Sequence, residues 1–214
     1  SLDEFDFLKA PILIQKDSPD NSDELNSKNI VASNSSRGSL VHEILSDKIK
    51  LKDFSYYEQN DQAIRKPINW TVDKLKNIVN NFDFVSERPI KFELLGYMIS
   101  GIPDLICFAK HDSNMSELWD FKTGQRSEVK EEAYMFQLYC YAYALFVTNK
   151  VVKDKLIKLI LCYCDQEEIV ERSVSFADVE NYLVRSLRLI NTPMVENIEN
   201  CQYCEFQIIC EKNA

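Results

Sequence analysis

Asp120 and Lys122 stand two residues apart in Ser116-Glu117-Leu118-Trp119-Asp120-Phe121-Lys122, a stretch that otherwise reads as an apolar strand. On a strand, side chains two apart share a face. A carboxylate and an ammonium are therefore committed to one side of an element whose neighbours belong in a core. A carboxylate held there is costly unless it is paired or bound to a metal. Asp104 lies upstream in Gly101-Ile102-Pro103-Asp104, ahead of apolar Leu105-Ile106-Cys107-Phe108, and a hairpin would return it to the side of Asp120. Two hard oxygen donors and one ammonium suit a divalent cation and a polarised water. The plainer alternative is a pair of solvated strand-end carboxylates with a surface lysine, and this spacing alone does not separate the two.

The rest of the chain is read around that stretch. Residues 1–36 are expected to form an arm or loop, because Gln15 to Ser36 is rich in Asp, Asn and Ser. A helix is predicted over Leu40–Lys48, with Leu40, Val41, Ile44 and Leu45 on its apolar face. Residues 53–82 read as helical in pieces, interrupted by Pro67. Three strands are predicted at Ser86–Leu95, Tyr97–His111 and Ser116–Phe121, with turns at Gly96 and at His111 to Asn114. Gly101 and Pro103 would bend the middle strand just before Asp104. Helix is predicted over Lys130–Thr148, strand over Leu156–Cys164 and Ile169–Ser175, then helix to about Ile190 with Asp178 in its first turn. This order implies an α/β fold, a central mixed sheet flanked by helices.

At 214 residues the chain suffices for one domain with a real core. No apolar run is long enough for a membrane span, and the acidic N-terminus does not read as a signal peptide. Starting at Ser1 and not at Met, the chain is expected to be either a domain cut from a longer protein or a processed product. A net charge of −9 argues against a bulk electrostatic grip on nucleic acid, although bound cations would reverse the field locally. Seven cysteines without secretory context point to reduced thiols in the cytoplasm or to a metal site.

Gln137 and Tyr141 are four apart on the predicted helix after Lys122, hence on one face. Alone they would be the polar edge of a tyrosine-rich core helix, and His42 alone would be a half-buried helix histidine. Together the motifs are specific. Gly101-Ile102-Pro103-Asp104, Asp120-Phe121-Lys122-Thr123-Gly124 and Gln137-Leu138-Tyr139-Cys140-Tyr141 resemble, in order, the motifs of PD-(D/E)XK nucleases of the RecB-like branch. Arg37-Gly38-Ser39-Leu40-Val41-His42 is similar to that family's glycine-then-histidine helix, and Glu87-Arg88-Pro89 to its acidic position at the first core strand.

The resemblance implies a restriction-endonuclease-like core over residues 37–195 and a cysteine-bearing tail over 196–214. It implies Mg²⁺ or Mn²⁺ held by Asp104, Asp120, the Phe121 carbonyl and His42. Lys122 would position or help deprotonate the attacking water, Gln137 would orient Lys122 or the substrate, and Tyr141 would contact the DNA backbone or brace the site. The activity implied is metal-dependent DNA cleavage, exonucleolytic or directed to single strands, in recombination or repair beside a helicase. The alternatives are a stand-alone exonuclease of the same branch and a catalytically degenerate DNA-binding or docking module. Cys201, Cys204 and Cys210 resemble the C-terminal cysteines of the iron–sulfur members, where they help hold a [4Fe–4S] cluster. The fourth cysteine of those members, upstream of the histidine helix, is missing here.

Overall fold

The computed structural model describes residues 25–94, 97–111 and 115–190, with side chains from Arg37 to Ser186 except those of Tyr97, Met98 and Val129. The tail cysteines Cys201, Cys204 and Cys210, the turn at Gly96 and the turn centred on Ser113 lie outside the described residues. Eleven elements follow in chain order: α1 (Leu25–Leu51), α2 (Gln62–Ile78), β1 (Phe82–Ser86), β2 (Ile90–Leu94), β3 (Tyr97–Gly101), β4 (Leu105–Ala109), β5 (Ser116–Lys122), α3 (Glu128–Val147), β6 (Ile157–Tyr163), β7 (Glu168–Val174) and α4 (Phe176–Ile190). The chain divides into two compact units between Leu183 and Val184, inside α4. No helix among the described residues is long and apolar enough to cross a membrane.

The main sheet has strand order β1-β4-β5-β6-β7, parallel between β5 and β6 and antiparallel elsewhere. This is the mixed sheet expected of a restriction-endonuclease-like fold. β5, α3 and β6 form a βαβ unit, and the two strands are buried on both faces. Trp119, Phe121, Ile160, Cys162 and Cys164 pack with Val41, Leu45, Ile68, Val72 and Leu75 of α1 and α2. By strand alternation Leu118, Asp120 and Lys122 point to the opposite face, the side of α3. Cys162 and Cys164 belong to this core, with no exposure and sulfurs 3.9 Å apart.

Three expectations are corrected. The first helix begins at Leu25, so the predicted arm is helical over its last part, and Arg37 and Gly38 lie inside α1 rather than ahead of it. Pro67 does not interrupt α2. A proline leaves the carbonyl four residues earlier without its helical donor, here that of Ala63, and Arg37 Nη1 donates to it at 2.9 Å. The predicted first strand, Ser86–Leu95, holds only β2 and the last residue of β1, an unexpected strand, and the predicted second strand is broken. Glu87, in the left-handed region at φ 50°, separates β1 from β2, and Ile102-Pro103-Asp104 separates β3 from β4. β2 and β3 form a two-stranded sheet of their own.

Because Leu75 is fully buried between α2 and the sheet, Leu75→Ala is expected to lower unfolding free energy by about 2–5 kcal/mol in urea titration. Leu51→Ala, at a side chain 77% exposed, should stay within ~0.5 kcal/mol.

Candidate active site

Asp104 occupies the break between β3 and β4, and nearly every polar atom it has is engaged. Its Oδ2 accepts from the Phe121 amide at 2.7 Å and its Oδ1 lies 3.4 Å from His42 Nδ1. Its carbonyl accepts from the Glu87 amide at 3.3 Å and from Ser86 Oγ at 3.1 Å. β4 pairs with β5 only as far as Leu105 opposite Trp119. Beyond that point the β5 edge facing β4 is open, and the Asp104 side chain takes over. The amide and carbonyl of one strand residue face the same edge, so the Phe121 carbonyl is directed to the Asp104 side as well.

Asp120 is 3% exposed. Burial pushes its carboxyl up to about 6. The nearby Lys122 ammonium opposes that rise and the Asp104 charge adds to it. Lys122 Nζ lies 2.6 Å from Asp120 Oδ2. The contact is a charge pairing without hydrogen-bond alignment, since the buried Oδ2 has no hydrogen-bond donor. The lysine ammonium also sits 4.1 Å from the centre of the Tyr134 ring.

α3 supplies the wall on that side. Tyr134, Gln137 and Tyr141 recur at helical spacing and form one stripe. Gln137 Nε2 donates to the Tyr141 hydroxyl at 2.7 Å. That hydroxyl also interacts with the Ile102 backbone, and the ring lies against Gly101. Tyr141 is 4% exposed. Its contacts therefore brace the bend that presents Asp104, rather than reaching outward to a substrate. From the opposite face α1 brings His42, whose ring meets Phe121 edge-on at 6.3 Å. Burial lowers the His42 pKa, but the hydrogen bond and charge of Asp104 outweigh it and leave the imidazole above its usual value.

His42, Asp104, Asp120, the Phe121 carbonyl and Lys122 thus converge on one end of the sheet, braced by Gln137 and Tyr141. Sequence reasoning missed two neighbours. Glu87 lines the same cleft with His42, Ser46, Asp104 and Phe121, and its Oε2 lies 2.5 Å from Lys50 Nζ. Its signal, an acidic residue before Arg88-Pro89, marked a strand start but no role at the site. Tyr134 carried no signal, because its meaning depends on where Lys122 points.

Among the described residues no three His, Cys, Asp or Glu side chains close into a ready-made ligand set. The donors nevertheless suit a divalent cation. Two carboxylates and a backbone carbonyl match hard-metal chemistry, with an imidazole beside them, and Asp120 Oδ2 is a buried oxygen with no aligned hydrogen bond, balanced by the Lys122 charge.

The family model of the PD-(D/E)XK nuclease superfamily matches residues 21–211. The chain belongs to the PD-(D/E)XK nuclease superfamily. Members of this superfamily generally use divalent metals such as Mg²⁺ or Mn²⁺. Among solved structures the nuclease is similar to SSO0001, at 17% identity and TM-score 0.37, covering 82% of this chain and 98% of that one. It is also similar to a candidate exonuclease of Eubacterium rectale, at 15% identity and TM-score 0.38, covering 79% and 70% respectively. No curated protein matches it significantly.

A carboxyl whose folded pKa of about 6 exceeds its ordinary value of 3.8 favours the fold at low pH and opposes it once ionised. With a chelator present, the nuclease is expected to lose stability between about pH 4 and 6, Asp120 contributing on the order of 2 kcal/mol. Asp120→Asn should flatten that part of the decline, as read by thermal melts across the range.

Proposed function

We propose that this nuclease is a metal-dependent deoxyribonuclease of the RecB-like branch, hydrolysing DNA phosphodiesters at the His42–Asp104–Asp120–Lys122 end of the sheet. The observation that carries the reading is a desolvated carboxylate, Asp120, 2.6 Å from the ammonium of Lys122 on the same strand face. A structural ion pair can be replaced by apolar residues at little loss. Asp120 Oδ2, buried beside an ammonium with no aligned hydrogen bond, is an oxygen that a bound cation would use.

Asp104, Asp120, the Phe121 carbonyl and His42 would hold Mg²⁺ or Mn²⁺. The ion supplies Lewis acidity toward a phosphoryl oxygen and a water acidic enough to attack at neutral pH. The chain's own residues do the rest. Lys122 presents its ammonium to the attacking water and to the charge that builds on the phosphoryl oxygens. Tyr134 limits where that ammonium can swing. Tyr141, held by Gln137, fixes the Gly101–Asp104 bend, so the spacing between Asp104 and Asp120 is set before substrate arrives. Asp104 keeps the His42 imidazole turned toward the carboxylates.

A chain of net charge −9 gains little from general attraction to a polyanion. Action at DNA ends or on single strands, delivered by an associated helicase, fits that charge better than a search along duplex. Cys201, Cys204 and Cys210 provide three thiolates where a cluster takes four, and the hydrolytic reading does not rest on them.

The test is cleavage of labelled single- and double-stranded DNA, linear and circular, with Mn²⁺, Mg²⁺ or chelator. The wild type is expected to degrade linear DNA only with metal. Asp120→Ala and Lys122→Ala should each lower the rate by about 10²-fold or more while the protein remains folded. Metal-independent cleavage, or none on any substrate, would overturn the proposal.

A further inference from the structure

Arg37 lies five residues before His42 on α1, in a helix segment that the reaction as described does not use. Its guanidinium makes a bidentate pair with Asp165, Nη1 to Oδ1 at 3.0 Å and Nη2 to Oδ2 at 2.6 Å. Nη1 also serves the Ala63 carbonyl that Pro67 leaves without a helical donor. The same Asp165 Oδ2 accepts from the Gly124 amide. One guanidinium therefore ties together α1, the first turn of α2, the end of β6 and the segment that leaves β5 just after Lys122.

Further along that segment, Arg126 is anchored to Glu131 and Glu168. The Lys122 carbonyl accepts from the Cys164 amide at 2.9 Å, the last rung between the two parallel strands. Gly124 then takes φ +89°, a backbone that side-chain-bearing residues rarely adopt, and this turns its amide to Asp165. Between the two, Thr123 closes on α1. A Cβ on Gly38 would stand 2.7 Å from Thr123 Oγ1, so only a glycine next to Arg37 lets the helix come this near. Asp165 is 21% exposed and Arg37 26%, so the fork is partly shielded from water.

We propose that Arg37 and Asp165 form a clamp that positions Lys122 against the His42 helix, with Arg37 acting through Asp165 and the Gly124 amide. The clamp rests on the nuclease reading for its catalytic consequence, but not for its structural one. Lys122 and His42 come from opposite faces of the sheet and from elements far apart in the chain. Within the strand, Lys122 is fixed only by its rungs to β6, and its side chain is the last of β5. Locking the next two residues onto α1 sets the direction in which the lysine leaves the strand. The fork geometry requires arginine, because a lysine ammonium cannot engage both carboxylate oxygens and a carbonyl in one plane.

The test uses the full chain and reads three quantities: hydrogen exchange of the Gly124 amide, the chemical shift of the Lys122 ε-methylene protons under the Tyr134 ring, and DNA cleavage kinetics. Arg37→Met is expected to speed Gly124 exchange about ten-fold and to leave the Leu161 amide of β6 unchanged. It should also move the Lys122 ε resonances and lower kcat about ten-fold or more with little change in KM. Asp165→Asn should do the same, and the double variant should be no worse than either single one. Arg37→Lys keeps the charge without the fork. Should Arg37→Met not fold, Arg37→Lys is expected to show the same changes at smaller amplitude. Unchanged Gly124 exchange in a folded variant would overturn the clamp, as would faster exchange with the Lys122 resonances unmoved. Absence of cleavage by the wild type would count against the nuclease reading alone, since exchange and chemical shift still test the clamp.

Discussion

One desolvated carboxylate organises this protein. Asp120 sits 3% exposed at the end of the strand that lies third in a five-stranded sheet, where its charge has lost its water and gained only a lysine. Left in that state, it is tolerable because Lys122 stands 2.6 Å away and because its proton comes off only near pH 6. Everything around it can be read as a means of keeping it there. β4 ends early, so Asp104 instead of a strand faces the Phe121 amide. α3 crosses on the Asp120 face with Tyr134, Gln137 and Tyr141 in one stripe, and α1 crosses on the other with His42.

The two helices divide the labour. α3 is bound to the sheet by the βαβ connection and braces the break ahead of Asp104 through the Tyr141 hydroxyl. α1 enters from the far side and is held through Arg37 at one point and through the His42–Asp104 pair at another. The proline in α2 belongs to the same arrangement. By vacating the Ala63 carbonyl, Pro67 gives the Arg37 guanidinium a third acceptor, so an apparent defect in one helix becomes a docking point for another.

Much of this was legible from the chain alone, for reasons that can be stated. The apolar stretch over Ser116–Phe121 announced β5, and the apolar, β-branched run over Leu156–Cys164 announced the buried strand β6. Ser175 and Asp178 cap each other at the start of α4, as their spacing suggested. The failures were of boundaries and breaks. The polar residues before Gly38 lack an apolar stripe, yet α1 extends back to Leu25. β1 is not among the predicted strands, and the left-handed Glu87 stands one residue into the strand predicted from Ser86, because positive φ at a residue other than glycine has no reliable signature. Asp165 was invisible as a contributor, since its role depends on an arginine 128 positions away.

The sequence by itself determined which residues are the candidates for the chemistry. Asp104, Asp120, Lys122, Gln137, Tyr141 and His42 stand in an order and local spacing that periodicity alone can assign to faces of strands and helices. Tertiary structure alone decided their surroundings: which oxygen of Asp104 faces the Phe121 amide, that Tyr141 turns inward to brace a bend, and that Arg37 pairs with Asp165 just beyond β6. The physical reason is range. Strand alternation and helical repeat act over a few residues and can be read locally, whereas desolvation, ion pairing and hydrogen-bond satisfaction are settled by groups that meet only when distant segments pack.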